Sequence, residues 1–164
     1  MNDPVFNSFL EVQYQQVTAL AAQSDILRFE CEGAMPPRKY VLEFNCRGLV
    51  CTPDGEIQEA SRFMVGISLP DDYLRTPDTQ QVVTMFPPWI WHPNANGPFL
   101  CLGNLTGGTA LVDIVFQVYE ILTYQRWSAH DGLNEAACEW ARNNQERFPI
   151  DRRPLKWKGG GSQP

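Results

Sequence analysis

Hydrophobic spacing divides the chain into segments of two periods. Asp3 followed by Pro4 has the form of an N-cap and first helical residue, and Phe6, Phe9, Leu10, Tyr14, Val17 and Leu20 then recur at intervals of three and four. This predicts an amphipathic first helix. After Gln23-Ser24-Asp25 the period falls to two: Leu27, Phe29 and Cys31 alternate with Arg28, Glu30 and Glu32, and Tyr40, Leu42, Phe44 and Cys46 alternate with Val41, Glu43 and Asn45. Two antiparallel strands joined through Gly33 to Lys39 follow from that. Phe63, Val65, Ile67 and Leu69 predict a third strand, set off from the second by a turn-rich stretch around Pro53-Asp54-Gly55 and ended by Pro70. A shorter fourth spans Gln81 to Phe86, where Pro87-Pro88 removes two backbone donors.

Helical spacing returns with Leu111, Ile114, Val115, Val118, Ile121 and Leu122. It returns again after a break at Asp131-Gly132, with Leu133, Ala136, Ala137, Trp140 and Ala141. The predicted order is an N-terminal helix, a four-stranded antiparallel meander, a long loop and C-terminal helices. A meander packs its helices on one face, so the fold class is α+β in two layers. The irregular segment between the fourth strand and Gly108 is about twenty residues long, more than the ~12–15 usual for a loop without function of its own, so it is the place to look for chemistry.

Composition narrows the setting. The 164 residues, 43% of them hydrophobic, suffice for a single domain over 1–156, with a flexible Gly-rich tail over 157–164. No run approaches a membrane span, and Met1-Asn2-Asp3-Pro4 lacks the basic start of a signal peptide, so a cytoplasmic protein is expected, without membrane partners. The net charge of −6 is uneven: Arg142, Arg147, Arg152, Arg153, Lys156 and Lys158 against Glu146 and Asp151 give +4 after residue 139, leaving −10 before it. An acidic body argues against nucleic-acid binding. Cys31, Cys46, Cys51, Cys101 and Cys138 are odd in number and include no C-x-x-C pair, and only His92 and His130 could join them, so neither a disulfide framework nor a metal site is expected. No cofactor is expected either. The default for each cysteine is a small buried hydrophobe.

The long loop changes that default for one of them. It contains Leu69-Pro70-Asp71-Asp72-Tyr73, Pro77, and then Trp91-His92-Pro93-Asn94-Ala95-Asn96-Gly97-Pro98-Phe99-Leu100-Cys101-Leu102-Gly103. Together with Leu133-Asn134-Glu135-Ala136-Ala137 further on, this resembles ubiquitin-conjugating enzymes, whose pattern runs from Pro-x-x-Tyr-Pro through His-Pro-Asn and a glycine to an active-site Cys followed by Leu. The resemblance spans roughly residues 5 to 148. It implies the ubiquitin-conjugating-enzyme fold and a catalytic Cys101 that takes the C-terminus of a partner protein as a thioester and passes it to an acceptor, dividing one hard acyl transfer into two steps.

The resemblance assigns further roles residue by residue. Asn94 matches an asparagine that either donates toward an oxyanion or shapes the loop as a turn residue. His92 matches a histidine that orients the loop rather than acting as a base. Asp131 lies where such enzymes place an acid that deprotonates an incoming lysine, although an N-cap for the last helix is the plainer reading. Arg75 and Arg126 are the basic residues nearest the loop, so the sequence offers no obvious activator of the thiol.

Departures from the pattern lie at Gly103 for an aspartate, at Tyr73-Leu74 without a following proline, and at Thr106-Gly107-Gly108-Thr109-Ala110 for Trp-Ser-Pro. The first helix, with Glu11, Gln13, Gln15 and Gln16, lacks basic residues that would meet an activating enzyme. So divergent and short a member resembles the stand-alone conjugating enzymes of bacterial antiphage (CBASS) operons. The acyl donor implied there is a cyclic-nucleotide synthase; a dedicated ubiquitin-like protein is the other implied partner, with or without an activating enzyme. Two rival readings are a non-catalytic binding module of the same fold and a cysteine hydrolase using Cys101 with His92 or His130.

Overall fold

In the computed structural model, which describes residues 3–76, 82–103, 105–128 and 132–155, the first helix α1 runs Pro4–Gln23. Asp3 caps it, its Oδ1 accepting from the amides of Val5 at 2.9 Å and Phe6 at 3.3 Å. The buried face carries Phe6, Leu10, Val17 and Leu20, and also Gln13. The sequence pattern puts Gln13 on the polar side because of its type, yet at three residues after Leu10 and four before Val17 it faces inward. Its side chain has a partner there: Oε1 accepts from the Leu111 amide at 2.7 Å, at the start of a helix whose own N-cap, Ala110, offers no side-chain acceptor.

The four expected strands are present as β1 (Leu27–Glu32), β2 (Lys39–Phe44), β5 (Phe63–Ser68) and β6 (Val82–Phe86), each antiparallel to the next. Gln81, expected to open the fourth, lies outside the described residues. Registers such as Phe44 opposite Phe63 and Leu42 opposite Val65 put the period-two residues on one face, where they join one cluster with residues of α1 and of the helix over 111–122.

Two hairpins exceed the sequence reading. The turn-rich stretch before the third strand is itself a hairpin, β3 (Gly48–Cys51) with β4 (Ile57–Ala60), closed by Thr52 to Glu56 with Gly55 at φ +83°. The long loop adds β7 (Ala95–Asn96) and β8 (Phe99–Leu100) to the main sheet, whose order is β1-β2-β5-β6-β8-β7. Strands of two to four residues are shorter than a periodicity test can see. The free edge of β3 takes hold of the segment before His92: the Cys51 amide donates to the Trp89 carbonyl and the Trp91 amide to the Leu49 carbonyl, both at 2.9 Å.

The second helix, α2, is Leu111–Leu122, buried through Ile114, Val115, Val118, Tyr119, Ile121 and Leu122. The third, α3, is Glu135–Asn143, and its N-cap is Asn134, whose side chain accepts from the Ala137 amide at 3.1 Å. This corrects the assignment of that cap to Asp131, because the helix starts later than the break at Asp131-Gly132 suggested. One hydrophobic cluster runs from Phe6 to Leu155. Among the described residues no helix is long and apolar enough to cross a membrane. Residues 157–164, expected as a tail, lie outside the description.

Candidate active site

His92 is the hub of the loop. It is fully buried, packed 4.6 Å from the ring of Tyr124, and both ring nitrogens are engaged. Nδ1 accepts from the Asn94 amide at 2.9 Å; Nε2 lies 3.0 Å from the Arg126 carbonyl, which can only accept. The ring is therefore the neutral tautomer protonated at Nε2. Burial, opposed only in part by the Arg126 carbonyl, pulls its pKa down to about 3. Such an imidazole has no lone pair left for a thiol proton. An aromatic floor supports it: Tyr124, at φ 57°, donates its hydroxyl to the Trp91 carbonyl, and Trp140, edge-on, and Phe148, tilted, pack against Tyr124 at 6.4 Å and 4.6 Å.

Asn94 joins this hub to the cysteine. Its carbonyl accepts from the Cys101 amide at 2.8 Å, continuing the β7–β8 ladder in which Ala95 faces Leu100 and Asn96 faces Phe99 across the turn at Gly97, φ +59°. Its side-chain oxygen accepts from the Ser128 amide at 3.3 Å. The oxygen half of the amide thus ties down the loop, and the donor half is a separate resource.

Cys101 sits immediately after β8 and is half-buried, between Leu100 and Leu102, which are 1% and 2% exposed. The alternation directs the thiol away from the core that the two leucines enter. Beyond Leu102 the chain turns at Gly103, φ +84°, and the Arg126 guanidinium closes on the turn, with Nη2 donating to the Leu102 carbonyl at 3.4 Å and Nη1 to Gln117 Oε1 at 3.1 Å. Of the other cysteines, Cys46 is buried and its thiol is pushed up to about 12, mainly by burial, so it is inert near neutrality.

Asp131 and His130 lie outside the described residues. The described residues on either side of them are fastened to the same loop. Ser128 bonds Asn94, the Asn134 amide donates to the Pro93 carbonyl at 3.1 Å, and Gly132 lies so close that a Cβ would overlap Cys138 Sγ and come 2.9 Å from the Pro93 oxygen. His92, Asn94 and Cys101 are therefore brought together as one hydrogen-bonded unit. Among the described residues no cluster of three or more His, Cys, Asp or Glu could hold a metal.

The departures at Tyr73-Leu74 and Gly107-Gly108 turn out to face each other. Tyr73 donates its hydroxyl to the Thr109 carbonyl at 2.7 Å, and the Gly108 amide donates back to the Tyr73 carbonyl at 3.4 Å. A Cβ on Gly107 would overlap the Leu74 carbonyl. The glycines allow this close approach, which latches the two segments together. Sequence reading missed Tyr124, Gln13 and the β3 edge; only Arg126 carried a signal, as one of two cations near the loop.

No protein-family model matches the chain, and no curated protein matches it. Among solved structures it is similar to the E2 domain of a ubiquitin conjugating enzyme from Toxoplasma gondii, with a TM-score of 0.51 and 18% identity over 83% of this chain and 90% of that one. The likeness establishes the fold.

Proposed function

We propose that this chain is a ubiquitin-conjugating-type acyl transferase whose acceptor thiol is Cys101. The observation that carries the reading is the half-exposed Cys101, bonded through its amide to Asn94 in a loop that a buried, neutral His92 holds rigid. In the proposed reaction the Cys101 thiolate attacks the activated C-terminal carbonyl of a partner protein, the activating group departs with the bonding pair, and a thioester forms. An amine then attacks the thioester carbon. The sulfur leaves as thiolate, the nitrogen loses its proton, and an amide results.

Within this reading His92 orients the loop, and the Asn94 side-chain Nδ2–H donates toward the oxyanion of each tetrahedral intermediate. Asp131 takes the proton of an attacking lysine. The proposed donor is the C-terminus of a bacterial cyclic-nucleotide synthase in antiphage defence. The altered flanks at Gly103 and Gly107-Gly108 support a donor other than ubiquitin. A dedicated ubiquitin-like protein is the second candidate.

The test mixes the chain with an activating enzyme, ATP and each candidate donor, and resolves products on gels with and without thiol. A thiol-sensitive adduct is expected, absent in Cys101→Ala and replaced in Cys101→Ser by a slower, thiol-resistant ester. An adduct unchanged in Cys101→Ala sinks the assignment. Donor binding that persists with full cellular activity in Cys101→Ala would identify a non-catalytic binding module instead.

A further inference from the structure

Arg126 grips the candidate site from two sides. Its main-chain carbonyl faces the His92 ring at 3.0 Å, and its guanidinium donates to the Leu102 carbonyl at 3.4 Å, on the residue next to the thiol. The other bond of the guanidinium goes to Gln117 Oε1 at 3.1 Å. Both side-chain partners are neutral, and among the described residues no carboxylate forms an ion pair with Arg126. Among the described residues, then, Arg126 is an exposed cation with no ion-pair partner, in a stretch before residue 140 whose net charge is −10.

The neighbouring backbone keeps it so. Residue 103 is a glycine at φ +84°, and a Cβ built there would stand 3.6 Å from Arg126 Nη2. A short acidic side chain at that position would fall within ion-pairing distance and cancel the charge. Glycine leaves it open. A guanidinium has five N–H donors in a planar fork, and two hydrogen bonds leave an edge free for a carboxylate.

We propose that Arg126 forms a carboxylate-recognition corner beside Cys101, which draws in and orients an acidic side chain of the incoming donor protein, separate from its activated C-terminal carbonyl, as that carbonyl approaches the thiol. The inference rests on the reading of Cys101 as an acyl acceptor for the use of the corner, but its test needs no conjugation partner. Two alkylating reagents of the same chemistry serve as probes, iodoacetate with a carboxylate and iodoacetamide without one. The rate of Cys101 modification by each is followed on the Cys101 peptide by mass spectrometry.

Arg126→Gln is expected to lower the iodoacetate-to-iodoacetamide rate ratio about fivefold, the order expected for loss of one nearby charge in a high-dielectric setting. Arg126→Lys is expected to retain most of the ratio, and added salt to shrink the wild-type value. Gly103→Asp is expected to lower the ratio as Arg126→Gln does, while Gly103→Asn, with the same bulk and backbone strain, leaves it unchanged. An unaltered ratio in Arg126→Gln overturns the proposal, and so do equal effects of Gly103→Asp and Gly103→Asn. A blank conjugation assay beside the expected ratio shift would remove the acyl-transfer reading and leave the corner standing.

Discussion

At the scale of single residues, His92 determines how the site responds to acid. Its folded pKa is held near 3, against about 6.5 for a free imidazole, so between those values the unfolded chain binds a proton that the fold refuses. The stabilisation is complete above about pH 6.5 and is lost as pH falls, by up to about 1.4 kcal/mol per unit. Urea unfolding at pH 7, 5.5 and 4.5 should show that loss, and His92→Gln should be less stable at pH 7 but flatter below it. Asn94 offers a second separation. Asn94→Asp keeps an oxygen for the Ser128 amide but removes the N–H donor. The expected result is an unchanged Tm with thioester formation slowed about 10²-fold, the scale of losing one oxyanion donor; unimpaired formation would leave Asn94 only its loop bond.

Among elements, the site is held by contacts between loops rather than by the sheet alone. The β3 edge pins Trp89 and Trp91, while the Ser128 and Asn134 amides and the packed Gly132 pin the loop at Pro93 and Asn94. The 70–76 and 105–110 loops are latched through Tyr73 and the glycine pair. Gly107→Ala puts a methyl group into the Leu74 carbonyl, and neither backbone can give way cheaply. It should cost about 1–3 kcal/mol, the usual range for overpacking, seen as a fall in Tm by calorimetry. A Tm equal to the wild type would show that the latch opens freely.

For the whole molecule, the C-terminal segment closes the core beside α2, where the Gln125 side chain donates to the Asp151 carbonyl at 2.8 Å. Arg153 binds the Asp151 carboxylate at 2.6 Å and the Asn45 carbonyl at 3.0 Å, and the Tyr119 hydroxyl donates to the Arg153 carbonyl at 2.5 Å. The Arg153 guanidinium holds the Asp151 carboxyl below the usual carboxylate range against the opposing effect of burial, so this clamp too weakens only in acid. Leu155, 1% exposed, is the last core residue described. Leu155→Ala should therefore cost about 2–5 kcal/mol in denaturant unfolding, like a leucine in the middle of the sheet. A cost under about 0.5 kcal/mol, the surface range, would mean that the segment is not part of the folding unit.

The sequence was sufficient for the elements whose period repeats several times: α1 with its Asp3 cap, the four long strands and α2. Side-chain spacing is a direct consequence of backbone geometry, and one buried face is enough to reveal it. It also brought His92, Asn94 and Cys101 to attention, because they are close in sequence and share one loop. The remainder depended on contacts made only in the folded chain. Gln13 became a buried cap, Asn134 took the helix start assigned to Asp131, and Arg126 came to rest against Leu102, each through a partner distant in sequence or a boundary that no period marks. Short strands such as β3 and β7 have too few residues for a period and exist because neighbouring edges complete their hydrogen bonds. Chemistry-bearing residues could be read from the chain, whereas the bonds that hold them in place arise only where the folded backbone brings separated segments together.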